Sequence, residues 1–305
     1  MGNQIRTMVL LTVMTVFFMW MGQLLGGRQG LIIAFVFAAG MNFFSYWYSD
    51  KIVLRMYRAR EVTSDQAPEI YSIVENLALR AGLPMPRVYI IPQESPNAFA
   101  TGRNPENAVV AVTQGLLKIM NREEIEGVLG HELAHVKNRD ILIGTVAATM
   151  AGAIMMLAGI ARWSAIFGGM GSDEEGRGGF GLIVMSLLAP IAAVLIQTAI
   201  SRSREYMADS SGAQFTGNNE GLARALEKLG AYSGRLPMNA DPSTAHMFIV
   251  NPLSGRKIMS LFSTHPPLED RIARLRGVRP PAPYPDGGGG APRDQGRAFW
   301  DRLSR

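Results

Sequence analysis

The chain of 305 residues is 48% hydrophobic and only 18% charged, where soluble chains average about 25% charged, and its formal net charge is +5. It contains no cysteine, which excludes disulfides, thiolate zinc sites and cysteine nucleophiles, and its four histidines are His131, His135, His246 and His265. No basic stripe interleaved with aromatics is present, so the excess of Lys and Arg reads as membrane topology and not as nucleic-acid binding.

Residues 7–27, 29–49, 141–161 and 178–201 contain no Asp, Glu, Lys, Arg or His. A helix needs about 20 apolar residues to cross a bilayer, so these stretches predict four spans, at 7–27, 29–49, 141–161 and 180–200. The first run exceeds the roughly 7–15 apolar residues of a signal peptide, and a second follows at once after Gly26-Gly27-Arg28. The two read as an uncleaved helical hairpin. Residues 51–140 are polar enough for the first segment of a soluble domain. Within it, Asp65–Ala81 predicts an amphipathic helix with Pro68 in its first turn, Tyr71, Val74, Leu77 and Leu79 as apolar contacts, and Gly82 as its stop. Val88–Ile91, Asn97–Thr101 and Ala108–Thr113 predict strands, the last two joined across Gly-Arg-Asn-Pro. Asn121 caps a helix with Glu123, Glu124 and Glu126 near its positive end.

After the third and fourth spans, joined by a Gly-rich acidic loop at 162–177, residues 202–278 form the second soluble segment, with helices at 202–216 and 220–230. The Pro/Gly-rich tail at 279–305 reads as disordered, with a short amphipathic end at 298–305. The two short loops between spans carry only Arg28, Arg162 and Arg177, whereas Lys51, Arg55, Arg58, Arg60, Lys137, Arg139, Arg202 and Arg204 crowd the membrane ends of the soluble segments. Positive-inside bias therefore places both termini and both soluble segments in the cytoplasm.

His131-Glu132-Leu133-Ala134-His135 lies in the Asn121-capped helix. Residues four apart on a helix sit one turn apart, so both imidazoles can reach one point, with Glu132 beside it. This is the H-E-x-x-H arrangement, in which two neutral imidazoles hold zinc and the carboxylate serves as base. A catalytic zinc takes a third protein ligand, and Arg204-Glu205-Tyr206-Met207-Ala208-Asp209 offers Glu205 for it. Asp209, one turn on, could accept a hydrogen bond from the far nitrogen of a ligand histidine. The competing reading is a solvated helix start with Arg202, Arg204 and Glu205 facing headgroups. Two spans between His135 and Glu205 return the chain to the side it left, which favours the metal site.

The combination resembles HtpX-type membrane metallopeptidases, of the family that includes the CAAX prenyl endopeptidases. The matching stretches are Pro96–Leu117, Glu124–Ile143, Ser201–Ala213, Thr244–Leu253 and Ser263–Leu275, so the likeness covers about residues 1–277. It implies a mainly α membrane protein with a small β-sheet, four transmembrane helices and a gluzincin-like cytoplasmic catalytic domain. It also implies His131, His135 and Glu205 as ligands of one zinc ion per chain and Glu132 as general base of peptide hydrolysis. His265, before Pro266-Pro267, is the candidate donor to the developing oxyanion, with Arg271 assisting; the alternative is a structural turn histidine. His246, among Met247, Phe248, Ile249 and Val250, reads as a core or wall histidine.

In peptidases of this type an exposed edge strand pairs with the substrate backbone. That role is expected for Val110, Ala111 and Val112, with Asn97, Ala98 and Phe99 lining the adjacent wall; an ordinary internal strand is the alternative. The implied partners are unfolded or damaged proteins at a bacterial inner membrane, in quality control under stress. Three rivals remain. An intramembrane protease is opposed by Lys137-Asn138-Arg139-Asp140 directly after His135, and a metal transporter by spans that offer only neutral groups such as Asn42 and Gln197. Glu132 argues against an inactive metal-binding scaffold, which has no need of that carboxylate.

Overall fold

A computed structural model describes residues 3–167, 201–233, 240–241, 243–250 and 266–278. The predicted fourth span at 180–200 and the tail at 279–305 lie outside the described residues.

Helix α1 (Asn3–Met56) is two arms interrupted where Gly26 and Gly27 leave helical geometry, Gly27 at φ 55°, ψ −141°. Only glycine adopts such a conformation without strain, so the Gly-Gly pair forms the hairpin bend. The arms then run side by side. A Cβ on Gly22 would lie 2.4 Å from the Gly30 carbonyl oxygen, and Asn42 donates from Nδ2 to Thr15 Oγ1 at 2.8 Å. Both arms, Gln4–Gln23 and Gly26–Met56, are long and apolar enough to cross a membrane, and they expose Val13, Val16, Ile33 and Val36 outward. The second arm continues past its apolar run to Met56, so Lys51 and Arg55 are helical. Lys51 stacks on Tyr48, and Arg103 on Trp47, which marks an interfacial belt.

Helix α5 (Ile141–Phe167) packs against this hairpin through Val146, Ala147, Met150 and Ile154, which meet Leu10, Met14, Phe18 and Ala38. Among the described residues two helices pass as spans, or three if α5 and the helix before it, bent by 89°, count as one.

The soluble part combines both chain segments. Strands β1 (Arg60–Glu61), β2 (Arg87–Ile91), β3 (Ala98–Thr101) and β4 (Val109–Thr113) form one sheet in the order β1-β2-β4-β3. β2 and β4 are parallel, with Val88 opposite Val110; β3 is antiparallel to β4, with Phe99 opposite Ala111. Helix α2 (Pro68–Ala81) starts on its proline and ends at Gly82, at φ 66°. It buries Ile70, Ile73, Val74 and Leu77. Leu79, expected among these contacts, is 79% exposed, because it lies two residues after Leu77 and thus on the far side of the helix. A short helix, α3 (Gln114–Ile119), leads into α4 (Arg122–Lys137), whose start is a capping box between Asn121 and Glu124.

Helices α6 (Arg202–Thr216), α7 (Asn219–Ser233) and α8 (Leu268–Leu275) come from the second segment; α6 and α7 pack on α4, and α8 packs on α7 and α6. Glycine permits the α4–α6 approach, since a Cβ on Gly212 would lie 2.6 Å from the His131 backbone nitrogen. The core runs from α2 and the sheet through Leu129 and Leu133 of α4 to Leu222 and Leu226 of α7.

The hairpin predicts a cross-link. In this cysteine-free chain, Thr15→Cys with Asn42→Cys should join intramolecularly with a short bismaleimide, seen as a mass shift on an otherwise uncut chain. Reaction of both cysteines as independent monoadducts would contradict the paired arms.

Candidate metal centre

His131 and His135 project from α4 with their rings perpendicular and 4.7 Å apart, and their Nε2 atoms are 3.2 Å from each other. The far side of each ring is held by a carboxylate. His131 Nδ1 lies 2.9 Å from Asp209 Oδ1, and His135 Nδ1 lies 3.1 Å from Asp140 Oδ2. A carboxylate accepts, so each Nδ1 carries the proton and each Nε2 presents a lone pair. Two lone pairs facing each other across 3.2 Å repel unless a proton or a metal ion is shared between them. Glu205, from the first turn of α6, completes the arrangement, with Oε2 3.7 Å from His131 Nε2 and Oε1 3.7 Å from His135 Nε2. Ligand atoms on a tetrahedral zinc with bonds of about 2.0–2.1 Å stand about 3.3 Å apart, so the three side chains match that spacing. The competing reading of Glu205 as a headgroup-facing residue is excluded, because Glu205 is buried and grouped with the two histidines.

The electrostatics agree. Glu132, Asp140, Glu205 and Asp209 are all buried, while the buried cations of the site are Arg204 and Arg271. With neutral imidazoles this leaves a negative excess suited to a divalent ion. Burial opposes a charge on His135, but Asp140, Glu205 and Glu132 outweigh it and lift its pKa to about 10, so the surroundings favour a positive charge here, which a bound metal ion would supply in place of a ring proton. Burial pushes Glu132 up, against the pull of the two histidines and of the Ala100 backbone N–H. An elevated carboxyl is what a general base needs in order to hand its proton on. Burial would also raise Asp209, but Arg271 and His131 hold it well below the usual carboxylate range.

The second carboxylate follows from the end of α4. Arg139 is left-handed at φ 55°, the Asp140 N–H bonds the His135 carbonyl at 3.2 Å, and the Arg139 N–H bonds the Val136 carbonyl at 3.1 Å. This is a Schellman ending with arginine in the place glycine usually takes. It turns the chain by 89° into α5 and brings the Asp140 side chain back under the His135 ring. The sequence reading used Asp140 only as a surface marker. The available signal was its place as the last polar residue before an apolar run, where a helix-capping Asp is common.

The peptidase family M48 profile matches residues 64–279. The chain belongs to peptidase family M48. A "Protease HtpX homolog" of Desulfatibacillum aliphaticivorans is 64% identical over 315 aligned residues, covering 99% of this chain and 100% of that one. One of Thermococcus sibiricus is 57% identical, covering 91% and 96%. Among solved structures, Ste24p of S. mikatae shares the fold with a TM-score of 0.50 at 20% identity; the match covers 90% of this chain and 65% of that one. The protein is thus a membrane-anchored metallopeptidase, and the inactive-scaffold reading is not favoured.

The remaining M48 candidates fall as follows. Arg271 is fully buried and binds Asp209 through Nε at 2.8 Å and Nη2 at 2.7 Å, and the Ile249 carbonyl through Nη1 at 3.1 Å. Its guanidinium therefore braces Asp209. His265 lies outside the described residues. His246 lines the cleft and hydrogen-bonds through Nε2 to the Gly144 carbonyl oxygen at 3.1 Å. Val110, Ala111 and Val112, expected on an exposed edge, are corrected: β4 is paired with β2 on one side and β3 on the other, and all three residues are fully buried. The outer strand is β3. Among the described residues it is Ala100 of this strand that lines the cleft, next to Asn97, Ala98 and Phe99 in the chain. Asn97 donates from Nδ2 to the Val250 carbonyl at 3.0 Å, Ala98 accepts the Ile249 N–H at 3.3 Å, and Phe99 packs on Tyr57 and Phe248.

Asp209→Ala strands the buried Arg271 charge. Loss of one partner of such a pair costs about 3–5 kcal/mol, so urea unfolding of the variant in detergent should move to markedly lower denaturant. A midpoint equal to wild type would contradict this account of Arg271.

Proposed function

We propose that this metallopeptidase is a zinc endopeptidase with one ion per chain, held by His131, His135 and Glu205, which cleaves unfolded or damaged membrane and cytoplasmic proteins. The observation that carries the reading is the pair of carboxylate-backed Nε2 atoms facing each other with Glu205 beside them. Imidazole and carboxylate donors suit zinc. When bound, zinc supplies Lewis acidity, polarising the scissile carbonyl and making a water acidic near neutral pH. Glu132 takes the proton from that water and delivers it to the leaving amine. The buried setting of Glu132 favours both steps, because a desolvated carboxylate is a stronger base than one in water. The oxyanion donor is assigned to His265, which directly precedes Pro266 and the α8 segment that supplies Arg271.

The substrate enters as an added strand along β3. Its backbone meets Ala100, the residue of β3 that lines the cleft. The cleft holds about 60 Å³, too little for a folded domain to enter. We assign the protein to a bacterial inner membrane with four spans, and with the catalytic domain and both termini in the cytoplasm. The two apolar arms of α1, the uncharged run at 180–200 and the basic residues beside the soluble segments support this placement.

Purified full-length protein in detergent should cleave casein, lose activity to 1,10-phenanthroline and regain it with zinc. Glu132→Gln should lower the rate by about 10²–10⁴-fold while elemental analysis still finds one zinc per chain. Casein cleavage by Glu132→Gln at the wild-type rate would falsify the assignment. His135→Ala should lose stoichiometric zinc; unchanged zinc content would remove it from the ligand set. His265→Ala should lower kcat with zinc retained, and an unchanged kcat would return His265 to a structural role.

A further inference from the structure

The stretch 243–250 runs antiparallel beside β3 and then leaves it. Asn97 donates from Nδ2 to the Val250 carbonyl, Ala98 accepts the Ile249 N–H at 3.3 Å, and the Phe99 and Phe248 rings meet edge to face at 5.3 Å. Each step forward on β3 is one step back on this stretch, so the next pair would be Ala100 with Met247. Main-chain groups alternate in direction along a strand. The Asn97 carbonyl points toward β4 and takes the Thr113 N–H, the Ala98 carbonyl points to the outer side, and the Ala100 carbonyl points to the outer side again. A continued ladder would therefore put the Met247 N–H on the Ala100 carbonyl, where a substrate backbone is proposed to pair. The chain avoids this. Ala245–Met247 winds into a single 3₁₀ turn, and the Met247 N–H bonds the Thr244 carbonyl at 2.9 Å. Phe248, just beyond, is extended at φ −85°, ψ 146°.

One 3₁₀ turn is weak by itself, so its place depends on what it leans on. His246, in its middle, is 8% exposed and donates from Nε2 to the Gly144 carbonyl of α5 at 3.1 Å. The start of the turn rests on the same helix, since a Cβ on Gly152 would lie 3.3 Å from Ser243 Oγ. On the other side Thr244 hydrogen-bonds Tyr57. His246 lines the cleft, but a nitrogen that carries a proton to a carbonyl is not a metal ligand. We propose that His246 is a positioning residue for substrate: by fastening the turn to α5 it holds Met247 off β3 and keeps the Ala100 edge open. The proposal rests on the reading that substrate adds as a strand along β3. With the tie removed, Met247 competes with substrate for the Ala100 carbonyl. An intramolecular competitor lowers the binding-competent fraction and so raises KM, whereas saturating substrate displaces it and kcat is kept.

The test uses full-length protein in detergent and a peptide spanning a site that it cuts in casein, together with the same peptide N-methylated at one amide at a time outside the scissile bond. N-methylation removes the donor that the Ala100 carbonyl would accept, so one analogue should raise KM by about tenfold or more. If none does, strand addition itself fails and the proposal falls with it, whatever the His246 variants do. On the unmodified peptide, His246→Leu should raise KM by about 3–10-fold, the worth of one hydrogen bond, with kcat and zinc content within about twofold of wild type. His246→Gln carries an amide N–H to about the reach of Nε2 and should return KM to within about twofold of wild type. The proposal is overturned, with strand addition intact, if His246→Leu leaves KM within about twofold of wild type, if it lowers kcat more than it raises KM, or if His246→Gln is no better than His246→Leu. Where His246→Leu does not fold, His246→Asn, whose amide stops short of that reach, takes its place under the same limits.

Discussion

Two imidazole nitrogens with outward lone pairs, 3.2 Å apart, are the constraint around which the soluble domain is arranged. The contact is unfavourable unless a proton or a metal ion is shared across it, and it exists because both rings are held from behind. Asp209 and Asp140 fix the tautomers, and each aspartate is itself buried, so neither can be satisfied by water. The requirement passes outward to α8, whose only fully buried residue with a charge is Arg271, and to the left-handed Arg139 that aims Asp140. A non-glycine residue at positive φ costs roughly 1 kcal/mol or more. That cost sits beside a metal ligand, where the geometry it enforces has a chemical use.

The same elements join the site to the apolar hairpin. Asp140 ends the turn into α5, and α5 packs on both arms of α1 through Val146, Met150 and Ile154. The end of α1 carries Tyr57, which lies in an aromatic cluster with Phe99 of β3 and Phe248 and hydrogen-bonds Thr244. Residues 243–250 thus bridge the hairpin, the edge of β3 and, through the Ile249 carbonyl, the Arg271 guanidinium. The metal ligands and the membrane anchor share packing, and a displacement of one side must be transmitted through these contacts or absorbed by them.

What could be read from residues alone follows physical locality. His131, Glu132 and His135 are placed by helical period, and Glu205 with Asp209 by the same rule, so short-range geometry already carried the site. The start of α4 was legible from Asn121 and Glu124 because a capping box is written in side chains. Its end was not, because Arg139 fills a position that glycine would have announced. Strand order was equally hidden: Val109-Val110-Ala111-Val112 could pair on one side or two, and nothing local decides. Its continuous apolar run, without polar alternation, was the available sign of a strand covered on both faces. Leu79 was misplaced because an apolar count along α2 ignored the 100° step between neighbours.

The true edge strand bears on how the cleft selects what it cleaves. Along the outer side of β3, the Ala98 carbonyl is taken by the Ile249 N–H. The chain's own 248–250 segment therefore closes one end of the strand, and in the proposed mode an incoming backbone pairs beyond it, at Ala100. Most of the affinity available there is main-chain hydrogen bonding, which is indifferent to side-chain sequence. Such bonding can be offered only by a segment whose own backbone groups are unpaired. A segment already in a helix or sheet would have to give up its bonds to enter, and a narrow cleft cannot recover that loss through side-chain burial. On this argument the proposed preference for unfolded chains requires no recognition motif: it follows from a short edge that is outermost among the described residues, closed at one end by the protein itself, next to a buried base.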